Sequence, residues 1–142
     1  MVEPSSTLQM AMDHHLKGEK DLAINAYKKF LEEGGKDKRV YSNLAALLRG
    51  EGNAEEAVHV VKMGLQEMGR NSPILLNTLG NCLRDLNNNC EAITAYRKAI
   101  KNHRGYFDPQ ISIIGILYDM GFKKLSDLCL MKLFGFYGVN KK

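Results

Sequence analysis

The sequence has no tryptophan, three prolines and three cysteines in 142 residues. Cys82, Cys90 and Cys129 are odd in number, widely separated and without a CxxC spacing. Neither a disulfide framework nor a cysteine-built zinc site is therefore indicated, and the three read as small buried thiols in a reducing, cytoplasmic compartment. Long hydrophobic runs are missing as well. The longest strongly apolar stretch without a charge, Ile111–Tyr118, spans eight residues, whereas a membrane-crossing helix needs about 20. The N-terminal "MVEPSSTLQMAMDHH" has no basic segment followed by an apolar one, so no secretory signal is expected. Catalytic signatures are equally absent: GxSxG, GxxxxGK[ST], HExxH and a strand-borne GxGxxG do not occur. No cofactor is expected, and the chain by itself reads as non-catalytic. His14 and His15 adjoin Asp13, but neighbouring helix positions point about 100° apart, too far to share one ion easily. One of these histidines is expected in a helix interface and the other in solvent; isolated His59 and His103 read as surface residues.

What is present begins with charge. Hydrophobic residues make up 44% and charged residues 25%, the balance of a folded chain rather than a disordered one. Residues 1–100 hold 13 basic and 13 acidic side chains, whereas residues 101–142 hold seven and three, so the whole formal charge of +4 lies in the last segment. A balanced first hundred residues offers no phosphate-tracking surface, and nucleic acid is not an expected partner. Nor is a membrane.

The dominant pattern is a repeat. The segments "GEKDLAINAYKKFLEEGG", "GNAEEAVHVVKMGLQEMG" and "NNNCEAITAYRKAIKNHRG" align with Ala23, Ala57 and Ala92 at spacings of 34 and 35 residues. Ile24, Val58 and Ile93 keep the same register, as do Leu31, Leu65 and Ile100. A period of this size is the mark of a stacked solenoid. Apolar residues at three- and four-residue steps, such as Tyr41, Leu44, Leu48 and then Ala57, Val61, Leu65, predict two helices per unit. Gly18-Glu19, Gly52-Asn53 and Asn87-Asn88 fall between them, where glycine or asparagine accepts the left-handed backbone that ends a helix. Ala11, Ala45 and Gly80 on the first helices are expected to face Ala23, Ala57 and Ala92 on the second, allowing close approach.

The stretches "YSNLAALL", "LLNTLGNCL" and "CEAITAYRKA" resemble the tetratricopeptide repeat, with its bulky residue, Leu-Gly or Leu-Ala pair and second-helix alanine, aromatic and small residue. The resemblance implies an all-α, right-handed α-solenoid of about four antiparallel helix pairs. The units run 4–37, 38–72, 73–106 and a degenerate or capping 107–140. The chain departs from the pattern in lacking tryptophan, in placing His14 at a bulky first-helix position, and in carrying Gly35, Gly69 and Arg104 where a unit-ending proline is usual. The fourth unit fits less well: with Gly115 as the small packing residue, its distance to Gly121 is one shorter than in the other units.

First helices line the concave side of such a stack, and their second, fifth, ninth and twelfth residues share one face. These are Ser5, Leu8, Met12 and His15; Arg39, Ser42, Ala46 and Arg49; and Ile74, Asn77, Asn81 and Arg84, with Asn43 at the edge. Asparagine amides both donate and accept, matching an extended peptide backbone, while arginines add charge-assisted contacts. The partner-binding residues are thus expected to be Arg39, Asn43, Arg49, Asn77, Asn81 and Arg84, with Leu8, Met12 and His15 at the apolar end. The resemblance to chaperone-tail clamps stops at Asn43, because Leu8 and Met12 stand where those clamps carry lysine and asparagine. "NTLGNCLRDLNNNCEAITAYRKAI" resembles repeat domains fused to protein-modifying enzymes such as the O-linked N-acetylglucosamine transferases. The function expected is protein or extended-peptide binding, with a substrate-docking part of a larger glycosyl-, sulfo- or methyltransferase, or a homodimeric scaffold, as alternatives. The apolar run through Leu130, Phe134, Phe136 and Tyr137 leaves its helix no fully polar face and is expected to meet a second copy or an adjoining domain.

Overall fold

The structure, a computed structural model, describes residues 4–133. Those residues form eight α-helices and no strand. In chain order they are α1 (Pro4–Leu16), α2 (Lys20–Glu32), α3 (Lys38–Gly50), α4 (Ala54–Met68), α5 (Pro73–Asp85), α6 (Asn89–Asn102), α7 (Phe107–Asp119) and α8 (Lys123–Leu133). They pack as antiparallel pairs, α1 on α2 through α7 on α8, and each second helix lies on the first helix of the next pair. The backbones of α3 and α5, and of α5 and α7, approach closely, whereas among the described residues those of the second helices do not; α2 and α4 meet through the Lys28–Glu56 ion pair at 2.7 Å. From α3 onward the first helices therefore form the inner surface of a curved stack.

Local chemistry sets the breaks. Gly52 (φ 81°) and Asn87 (φ 60°) end α3 and α5 in the left-handed region, which glycine enters freely and asparagine with little penalty. The amides that follow bond back into the finished helix, Asn53 N–H to Leu48 O at 2.8 Å and Asn88 N–H to Leu83 O at 2.9 Å, which satisfies carbonyls the helix leaves open. Asp37 starts α3 by accepting from the Arg39 amide at 2.8 Å, and Pro73 occupies the first turn of α5, where no amide hydrogen is needed.

The core runs the length of the stack. Leu44, Leu48, Val61 and Leu75 are buried in one cluster and Tyr96, Ala92 and Ile116 in the next, with Val58 and Leu79 packed against both. Burying a side chain of this size contributes about 1.5–3 kcal/mol, so each pair depends on its neighbour for much of its stability. The small residues sit where the repeat placed them: Ala11, Ala23, Ala45, Ala57 and Ala92 are fully buried. A Cβ on Gly80 would stand 2.5 Å from the Tyr96 ring.

Four expectations are corrected. Gly115 does not pack between helices, since a Cβ there would meet nothing within 4 Å. The register of Ala11, Ala45 and Gly80 falls instead on Ile114, seven residues before Gly121 as Gly80 is before Asn87, and its carbonyl accepts from buried Ser126 at 3.0 Å. Of the cysteines, only Cys82 is buried; Cys90 is exposed and Cys129 half-buried. His14 is not free in solvent, because its ring pairs with Glu19. Asn77 is buried, as described below. Phe134, Phe136 and Tyr137 lie outside the described residues, and Leu130 is 41% exposed. No helix among the described residues is long and apolar enough to cross a membrane.

Candidate peptide-binding groove

The inner face is built around tyrosine hydroxyls that reach through from the second helices. Tyr27, Val61 and Tyr96 share one register on α2, α4 and α6. The Tyr27 hydroxyl accepts from Asn43 Nδ2 at 3.3 Å and lies 3.0 Å from His15 Nδ1. The Tyr96 hydroxyl donates to Asn81 Oδ1 at 2.6 Å. Burial raises the pKa of both phenols, so they stay protonated and able to donate. In the middle unit, where Val61 has no hydroxyl, the first helices bond each other: the Thr78 hydroxyl donates to Ile74 O at 2.8 Å and Ser42 Oγ lies 2.9 Å from Thr78 Oγ1. Thr78 has spent its one proton, so Ser42 donates.

Each predicted groove residue can now be placed. Asn43 and Asn81 are half-buried and pinned on opposite ends of their amides. Asn43 uses its NH2 group and keeps its oxygen, while Asn81 uses its oxygen and keeps its NH2 group. Asn77 is only 8% exposed, donates to the Tyr106 hydroxyl at 3.1 Å, and has a buried oxygen without a partner. It ties α5 to the start of α7 and is withdrawn from the face. Arg49 grips Asp85 of α5 through two bonds of 2.7 and 3.1 Å. Arg39 turns back to Asp37 at 2.7 Å, and this guanidinium is the main reason the Asp37 carboxyl sits below its usual pKa. Arg84 is exposed and makes no ion pair among the described residues. Leu8, Met12 and His15 are half-buried on α1; the α1 and α3 backbones do not approach closely, and His15 is linked to Asn43 of α3 through the Tyr27 hydroxyl they share.

The family model of the tetratricopeptide repeat matches residues 74–102. Residues 74–102 therefore carry a tetratricopeptide repeat. Solved structures share the fold over most of its length. MamA from Desulfovibrio magneticus RS-1, residues 41 to the end, is 14% identical with a TM-score of 0.83, over 94% of this chain and 75% of that one. YrrB, described as a TPR protein with an unusual peptide-binding site, is 14% identical with a TM-score of 0.79, over 95% and 69%. The first TPR of Spaghetti (RPAP3), bound to the HSP90 peptide SRMEEVD, is 14% identical with a TM-score of 0.76, over 84% and 94%. No curated protein sequence matches the chain.

With the repeat register anchored on Ile114, the inner-face positions of α7 are Asp108, Ile111, Gly115 and Tyr118. Ile111 and Tyr118 are 51% and 52% exposed, and the space above Gly115 is open. A register that gives Gly115 the packing role passes over these residues. They stand at the second, fifth, ninth and twelfth positions counted from Phe107.

Proposed function

We propose that the chain is a non-catalytic protein-interaction module of four repeat units, 4–37, 38–72, 73–106 and 107–140, that holds an extended peptide or protein segment on the inner face of α3, α5 and α7. The observation that carries this reading is the pair of pinned amides. Asn43 presents a fixed acceptor and Asn81 a fixed donor, the two groups a peptide backbone needs, and neither pays much further ordering entropy on binding. Ile111 and Tyr118 add an apolar contact, with open space over Gly115 for a ligand chain. Arg84, with no ion-pair partner among the described residues, attracts a carboxylate, whereas Arg49 and Arg39 are already neutralised and serve to brace the face. Peptide binding by RPAP3 and YrrB supports the reading by analogy of fold.

Arg84→Glu is the informative variant because it breaks no internal bond. Immobilised wild-type and Arg84→Glu chains are compared for quantitative capture of proteins from cell extract. Partners depleted at least tenfold on the variant support the groove; an unchanged set contradicts it.

A further inference from the structure

The fourth pair contains a second feature, away from the inner face. In the third pair, Gly80, Ala95 and Ala99 let α5 and α6 lie close. One repeat later the same registers hold Ile114, Cys129 and Leu133. Ser126 joins α7 and α8 near the turn through its bond to Ile114 O, and the larger side chains stand beyond it. A cleft of about 470 Å³ lies between the end of α6, the first half of α7 and the last half of α8. Ile100, Ile113, Ile114 and Leu133 line it, with half-exposed Phe107 beside them. Arg104 and Lys132 also line it, no acidic residue does, and neither cation makes an ion pair among the described residues.

We propose that this cleft is a docking site for a partner protein segment that inserts a bulky apolar side chain between α7 and α8 and sets carboxylates against Arg104 and Lys132. The volume fits one or two such side chains rather than a whole helix, and it lies within the range of ligand pockets. Charge decides the kind of occupant. Two copies joined through this cleft would bring like charges together, which disfavours a dimer. At the opposite end of the stack α1 exposes Ser6 and Asp13 where the next unit buries Val40 and Leu47, and Met10 is exposed where it buries Leu44, so head-to-tail joining of copies is a competing outcome that the sedimentation test below detects. An apolar segment flanked by acids satisfies both the walls and the rim. This inference does not depend on the inner-face reading, since it shares none of its residues.

The probe is a labelled synthetic peptide with a single central phenylalanine and glutamates on either side, titrated with the full chain by fluorescence anisotropy. The same peptide with lysines in place of glutamates is the control. Wild-type protein is expected to bind the acidic peptide and not the basic one. Arg104→Glu/Lys132→Glu should weaken acidic-peptide binding at least tenfold and leave the thermal melt unchanged, because both side chains are exposed and unpaired. Arg84→Glu should bind as wild type does. The proposal is overturned if wild type does not bind the acidic peptide, if the double variant binds it equally well, or if only Arg84→Glu loses it. It is also overturned if sedimentation shows wild type to be a dimer that the double variant abolishes.

Discussion

The ring of Tyr96 lies so near Gly80 that an added Cβ would stand 2.5–2.8 Å from three of its atoms. The same Tyr96 sends its hydroxyl to Asn81 on the inner face. One side chain thus closes the third helix pair and arms the groove, which links the packing of the repeat to its proposed function.

Glycine-to-alanine substitutions should change sign along the chain. At Gly80 an alanine gains about 1 kcal/mol of helix propensity, but overpacking costs about 1–3 kcal/mol, and Tyr96 is buried on every side. Gly80→Ala is expected to lower the midpoint of urea unfolding. Gly115→Ala meets open space and is expected to stabilise by about 0.5–1 kcal/mol. Equal effects at the two sites would refute the register that places Ile114, not Gly115, between the helices.

The tyrosine hydroxyls make a second prediction. Tyr96→Phe removes one hydrogen bond and leaves the half-buried Asn81 amide unpinned, at a cost of about 0.5–1.5 kcal/mol. In contrast, Tyr27→Phe disturbs both His15 and Asn43 and is expected to cost more than Tyr96→Phe in the same urea titration. Side-chain amide resonances of Asn81 should broaden or shift in Tyr96→Phe while those of Asn43 stay in place.

Arg49 and Asp85 provide a test of coupling between neighbouring units. The pair bridges α3 and α5 with bidentate geometry and is partly shielded from solvent. A double-mutant cycle with Arg49→Ala and Asp85→Ala should give a coupling energy of about 0.5–1 kcal/mol that shrinks as salt is added. A coupling of zero at low salt would show that the bond does not brace the inner face.

Thiol chemistry should separate the three cysteines. Burial pushes the Cys82 thiol up from 9.0 to about 11, whereas Cys90 is exposed. Iodoacetamide at pH 8 is expected to label Cys90 first and Cys82 only after unfolding, because the thiolate is the reactive form. The same shift has a consequence for stability. A thiol that holds its proton more tightly when folded contributes stability present below pH 9 and lost as pH climbs toward 11. The raised phenols of Tyr27, Tyr41, Tyr96 and Tyr106 act in the same direction from 10.0 upward. Thermal midpoints should therefore fall across the alkaline range, and less steeply in Cys82→Ala.

The helices, their pairing and the close contacts were legible in the sequence because each depends on a periodic residue type: Ala57 and Ala92 must be small, and Asn87 must tolerate a positive φ. The state of the inner face was not legible in the same way. Helical spacing placed Arg49 and Asn77 there, but it carries no information about partners 36 and 29 residues away. Those partners, Asp85 and Tyr106, neutralise the one and bury the other. Spacing also could not show that Ser126 bonds across the fourth pair to Ile114 O while Cys129 and Leu133 line a cleft beside it.

The central claim, that partners bind along the inner face of the first helices, is tested most directly by site-specific photocrosslinking. A photoreactive phenylalanine is introduced at Ala46 on α3, at Tyr118 on α7, or at exposed Met63 on the second helix α4. The account predicts that partner proteins in cell extract crosslink to positions 46 and 118 and not to position 63. Crosslinks confined to position 63, with none from the inner face, would contradict it.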